Sequence, residues 1–409
     1  MKARSLVVRA VTLFLPLARP SANGERLRKA RDTLFRLKGF LEALGFPVQT
    51  LRVALDGRFP LWGRSLEQVA AELGVLVETL GGEIFVSLGP VHTGFPQGYD
   101  WLPELLARYP VYASAHLVAP GEGHIEGQAV YAAARVIRRL AHVGPLGEGN
   151  TRFAATAWVK PGTPFFPAAY AAPQGPDWAW ALAMETGGLL VQAARRSGAV
   201  QEKGVYLQRM LEEETRAIAV EVQAQSGELW ERFLGFDVSW APFATEDRSV
   251  GAALEALGLA RVGGHGTLAL AAWLTAILRR ARLPRRTGFN GLMLPVLEDP
   301  ALARAAARGD LDTRMLLVSS AVCGVGLDTV PLPGDVTEAQ LAALLWDVAA
   351  LAVRLQKPLA VRVMPIPGHG PGDRVRWDKE FFVDTPVLPL PGEGLPGWDE
   401  STVLDLGEG

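Results

Sequence analysis

A single cysteine, Cys323, stands in 409 residues, which excludes an intramolecular disulfide and any multi-cysteine zinc or iron–sulfur site. A lone thiol also suits a reducing cytoplasm. Charge of one sign is lacking as well: 41 basic side chains face 43 acidic ones, for a net of -2, so no global field draws nucleic acid or an anionic membrane. No run reaches the roughly 18 uncharged apolar residues that a membrane helix needs. The stretch Ser5 to Leu17 is the one to check, but Arg9 interrupts it and Ala18-Arg19-Pro20 is no small-residue cleavage site. It reads as a buried first strand, not a signal peptide. Asparagine occurs only at Asn23, Asn150 and Asn290, which fits a hot environment and a GC-rich genome equally.

The standard chemical motifs are missing too. The one complete G-x-G-x-x-G, at Gly392, Gly394 and Gly397, lies in a proline-rich tail with no helix to follow, so no nucleotide cofactor is indicated. No P-loop, G-x-S-x-G elbow or H-E-x-x-H pattern occurs.

What remains is a chain that is 49% hydrophobic and 21% charged, enough to bury a large core. Short β-type runs alternate with longer helical ones through the first half, the pattern of βα units and a mostly parallel sheet. Strands are expected near residues 7–14, 47–54, 83–88, 111–118, 153–159, 236–240 and 359–364, with an edge strand near 377–383. Helices are expected over 25–44, 126–141, 177–196 and 206–225, the last two pairing as a hairpin. Ser65 with Gln68 and Thr337 with Gln340 form capping boxes. Residues 1–390 read as one α/β domain and 391–409 as a loose tail.

Chemistry concentrates in a few places. The segment CGVGLDTVPLPGD (323–335) places Cys323 among glycines and beside Asp328 and Asp335. A thiol there is either a nucleophile activated by backbone amides or a small buried side chain. The two aspartates suit ligand binding or loop bracing, which leaves a divalent metal open. His265 sits in GGHGT just before a helix, where a ring can reach an anion pocket or simply cap the turn. His92, His116, His124 and Glu122 are a weaker metal constellation. Glu298 and Asp299 leave a strand end in opposite directions, so one of them enters a pocket. Arg52, Arg362 and Asp237 lie within strands and each needs a partner, either an internal counter-charge or an anionic ligand.

The segments VQTLRVA (48–54), KPGTPFFPAAY (160–170), DVSWAP (237–242), GGHGT (263–267), GLMLPVLED (291–299), SAVCGVGLDTVPLPGD (320–335) and KPLAVRVMPIPG (357–368) together resemble the domain of unknown function 711 family, also called uncharacterised protein family 0210. The resemblance brings no established activity. It implies a fold related to glycyl radical enzymes of the pyruvate formate-lyase type: a ten-stranded β/α barrel in two parallel halves with an inner hairpin loop. By analogy Cys323 would occupy the tip of that loop, although no R-V-x-G-Y motif follows, which argues against a glycyl radical. The family's motifs fall on Arg52, Asp237, His265, Glu298, Cys323, Asp328 and Arg362.

The expectation is an enzyme acting on a small anionic metabolite in the barrel mouth. Arg52 and Arg362 hold the anion, His265 acts as acid or base oriented by Asp237 or Asp328, and Cys323 serves as nucleophile or ligand contact. The alternative is a non-catalytic metabolite sensor. The resemblance adds an ACT-domain protein as a partner for such a sensor, and an exposed sheet edge points to a homo-oligomer.

Overall fold

The computed structural model describes residues 4–407. Its strands are β1 (Val7–Phe14), β2 (Val48–Ala54), β3 (Ile84–Val91), β4 (Val111–Val118), β5 (His124–Glu126), β6 (Phe153–Ala157) and β7 (Ala179–Glu185). They continue with β8 (Phe233–Asp237), β9 (Gly326–Pro333), β10 (Leu359–Ile366), β11 (Arg374–Val375), β12 (Thr385–Pro386) and β13 (Val403–Asp405). Nine of these form one sheet in the order β8-β7-β1-β2-β3-β4-β6-β10-β9. Every neighbouring pair is parallel except β1 with β7 and β6 with β10. The sheet therefore has a central parallel block flanked by two parallel pairs that run the other way.

The two faces of the sheet differ. Leu51 and Val53 on β2, with Leu359, Val361 and Val363 on β10, point into the main hydrophobic core shared with the helices. On the opposite face, Ala10 of β1, Ala154 of β6, Ala183 of β7 and Ala360 of β10 pack with Phe165, Ala168 and Tyr170. This period-2 division is what a sheet buried on both sides requires. Alanine is needed there because the link between β6 and β7 lies across that face. Thr12 Oγ1 donates to the Pro164 carbonyl at 3.0 Å and Ser87 Oγ to that of Ala169 at 2.9 Å.

Several expectations need correction. Residues 177–196 form no long helix; β7 occupies Ala179–Glu185 and a short helix follows at Gly187–Ala194. The sequence AWALAME has helical propensity, but its alanines fit the crowded inner face of the sheet, and packing overrides propensity. The stretch at 323–335 is not a threaded loop. A helix, Thr313–Ser320, runs through a short turn straight into β9. The segment that does cross the inner face is 160–170. Trp377–Val383 forms no strand, and only the short β11 and β12 pair on either side of it. Residues 391–407 are not loose: β13 pairs with β5, Tyr131 Oη donates to the Trp398 carbonyl at 2.6 Å, and the Trp346 and Trp398 rings meet edge to face.

Between β8 and β9 the chain of 286–295 makes single parallel bridges, Phe236 with Arg286, Trp240 with Leu292 and Pro295 with Asp328. It also crosses the turn before β9 at closest range where Gly291 meets Gly324. No helix among the described residues is long and apolar enough to cross a membrane.

Candidate anion-binding cavity

The inner face opens into a cavity of about 730 Å³, within the size range of small-molecule sites. Its lining includes six cationic side chains (Arg9, Arg52, Arg152, Arg248, Arg362 and Lys379) against four carboxylates (Glu148, Glu298, Asp328 and Glu380). Aromatic walls come from Phe85, Tyr112, Phe165, Phe166 and Phe289.

A chain of alternating charges runs through it. Arg9 donates to Glu298 at 2.7 Å, the other Glu298 oxygen accepts from Arg362 at 2.9 Å, and Arg362 Nε donates to Asp328 at 2.6 Å. Two irregularities in the sheet put these groups in place. On β1, Val8 and Ala10 pair with consecutive residues of β7, so Arg9 is an extra residue. On β9, Asp328 and Thr329 together oppose Arg362, and Thr329 takes a φ of 45°. A bulge re-aims side chains in this way, and a left-handed β-branched residue is a strain tolerated where a site demands it.

Arg52 differs from its neighbours. Its Nε donates to Thr50 Oγ1 at 2.9 Å and its guanidinium lies 4.9 Å from the Phe166 ring centre. Among the described residues no carboxylate comes within ion-pair distance of it. Burial, followed by the charge of Arg9, lowers its pKa to about 10, so it remains a cation at neutral pH. For Arg362 burial opposes the charge, yet Asp328 and Glu298 outweigh it and hold the group above the ordinary guanidinium range. Burial lowers Arg152.

Of the residues expected from sequence, Arg52, Glu298, Asp328 and Arg362 meet in this cavity. The others lie elsewhere. Cys323 is 1% exposed within the main core, and burial pushes its thiol pKa up. His265 is exposed in the turn before the helix Thr267–Arg280. Asp237 is fully buried and accepts from Ser239 N, Ser239 Oγ, Phe289 N and Asn290 N. It clamps two loop segments together. Cys323, His265 and Asp328 therefore do not form a catalytic group. Asp299 turns away from Glu298 and caps the helix Pro300–Ala307, buried rather than solvated. Among the described residues no group of three or more His, Cys, Asp and Glu side chains could hold a metal ion.

Sequence reasoning missed Arg9, Thr50, Tyr112, Arg152 and Arg248. Arg9 carried a usable signal, since it interrupts an apolar strand just as Arg52 and Arg362 do. The remaining four carry no local mark of function.

His116 lies in a second polar environment on the same face. Its Nδ1 meets Thr156 Oγ1 at 3.0 Å and its ring stacks edge to face on Tyr170. Burial, with a smaller contribution from His92, lowers its pKa to about 4 from an ordinary 6.5. The folded state thus favours the neutral ring. That stability is fully present above about pH 6.5 and is lost as pH falls towards 4, by about 3 kcal/mol in total. Denaturant unfolding near pH 7 and near pH 4.5 is expected to show a smaller acid loss for His116→Asn than for the unaltered protein. Equal losses in the two would discard this source.

The profile of the DUF711 family, described as "Uncharacterised ACR", matches residues 1–378. A UPF0210 protein of Pyrobaculum islandicum is 33% identical over 90% of this chain and 87% of its own length. A second, of Pyrobaculum arsenaticum, is 31% identical over 96% and 95%, and a third, of Pelotomaculum thermopropionicum, 28% over 95% and 92%. Those names assign no activity to the cavity, but the match spans nearly the whole chain, and this protein belongs to the DUF711 family.

Proposed function

We propose that this protein binds a small anionic metabolite in the cavity, with Arg52 as the anion contact, and works as a ligand-sensing protein. The observation that carries this reading is a half-buried arginine with no ion-pair partner among the described residues, set beside Arg9 and Arg362, which already have theirs. Such a charge is costly to bury unless something anionic completes it. An acid–base enzyme is less well supported, because His265 and Cys323 lie outside the cavity and both inner carboxylates are neutralised by arginines.

The finer fold fits this reading. The parallel bridges made by 286–295 support it as a tenth strand that closes the sheet into a barrel of two five-stranded halves, β1, β2, β3, β4 and β6 against β7, β8, 286–295, β9 and β10. That is the arrangement of pyruvate formate-lyase-type enzymes, here with the 160–170 segment inside. A cytoplasmic setting, with a homo-oligomer or an ACT-domain protein receiving the signal, belongs to the same reading, and the free, core-buried thiol is compatible with it.

A thermal-shift screen of anionic metabolites, followed by calorimetry on Arg52→Ala, tests the proposal. Losing a charge-assisted bidentate contact is expected to weaken a true ligand by about tenfold to a hundredfold. A ligand that binds Arg52→Ala as tightly as the unaltered protein removes this site from consideration.

A further inference from the structure

We infer that the anion is a monocarboxylate carrying a flat apolar body, an inference that rests on the Arg52 site proposed above. The count of free donors comes first. Arg9 spends Nη1 on the Pro242 carbonyl at 3.0 Å and Nη2 on Glu298. Arg362 spends Nε on Asp328, Nη2 on Glu298 and Nη1 on the Thr151 carbonyl at 3.4 Å. Arg52 has only its Nε engaged. Arg9 Nε is also free, but among the three arginines only Arg52 leaves both terminal nitrogens open, and they form a single planar fork. A planar fork matches the two coplanar oxygens of a carboxylate.

Charge gives the same answer. Arg152 is a further cation of the cavity wall, held by the Tyr109 carbonyl, but the ion-paired set Arg9, Arg362, Glu298 and Asp328 is itself neutral, so Arg52 brings it one unpaired positive charge. One negative charge neutralises it, whereas a phosphate dianion brings two. Among the described residues no glycine lines the cavity, so the close backbone approach by which phosphate nests are built is not offered. The volume far exceeds a carboxylate alone, and Phe165, Phe166, Phe289 and Met293 line the same cavity as Arg52. Ring stacking and apolar burial there suit a flat hydrocarbon body.

Calorimetry near pH 8 with 3-phenylpropionate, 2-phenylethanesulfonate, 2-phenylethyl phosphate and 3-phenylpropanol tests this on the full-length protein. At that pH the phosphate carries close to two charges. The carboxylate is expected to bind at least about tenfold more tightly than any of the other three. Arg52→Lys keeps the charge but loses the fork, and is expected to weaken 3-phenylpropionate by about tenfold or more. Arg52→Gln serves as a second variant, and thermal unfolding checks that both are folded. If the phosphate or sulfonate binds as well as the carboxylate through Arg52, the carboxylate inference is overturned while the anion site stands. If binding of every probe is absent or indifferent to Arg52, both readings fall.

Discussion

Replacing Glu298 with Ala is expected to cost about 3–5 kcal/mol of folding stability, because it leaves largely desolvated cations without their counter-charge. Glu298 is 7% exposed, and each of its oxygens accepts from a different arginine, Arg9 on one side and Arg362 on the other. Their side chains are 19% and 13% exposed, so water does little to screen the pair. Without the carboxylate, Arg9, Arg362 and Arg52 would face one another with only Asp328 in support. Denaturant unfolding measures the effect as a shift of midpoint at constant slope. Glu298→Gln keeps one acceptor and should fall between the two proteins. A loss below about 1 kcal/mol for the alanine variant would mean that the arginines relax into solvent and that the charge chain is not a rigid frame.

Gly324→Ala and Gly291→Ala should be at least as damaging. A Cβ on Gly291 would lie 1.9 Å from the Cα of Gly324, and one on Gly324 would lie 2.1 Å from the Cα of Gly291. Backbone cannot swing aside as the end of a side chain can, so the two segments would have to separate. Gly324 N donates to the Leu292 carbonyl at 3.3 Å and Gly291 O accepts from Trp240 N at 2.9 Å, so that separation also breaks the bonds holding 286–295 in place. A loss above about 4 kcal/mol, or no folded protein at all, is the expected outcome. Gly39 is the control. It is exposed in the helix Gly24–Ala43 and a Cβ there meets nothing within 4 Å, so Gly39→Ala should stabilise by up to about 1 kcal/mol. Equal behaviour of the three variants would refute the close crossing.

The strands rich in β-branched residues were legible in the sequence, β1, β2 and β10 among them, because their composition favours an extended chain. β7 was not, since alanine speaks for a helix until one knows how little room its face has. The charged core of the site was legible in part: an arginine inside an apolar strand, as at Arg52 and Arg362, is a cost that implies a reason. Glycine-rich surroundings misled. They made Cys323 and His265 look like reactive positions, whereas the glycines near Cys323 serve the backbone crossing at Gly324 and carry no information on where a side chain points. The bulges at Arg9 and Asp328 depend on register between strands far apart in the chain, and no local pattern encodes register.

The pairing of residues 398–402 with the middle of the chain bears on how the fold tolerates cleavage. A Cβ on Gly127 would lie 2.2 Å from the Asp399 carbonyl oxygen, and Gly127 N donates to Thr402 O at 2.7 Å, so the start of the helix Gly127–Leu140 is covered by a segment far along the sequence. A cut ahead of Trp398 would strip that helix start and the Trp346 ring of their cover and display an uncovered tryptophan to chaperones and proteases.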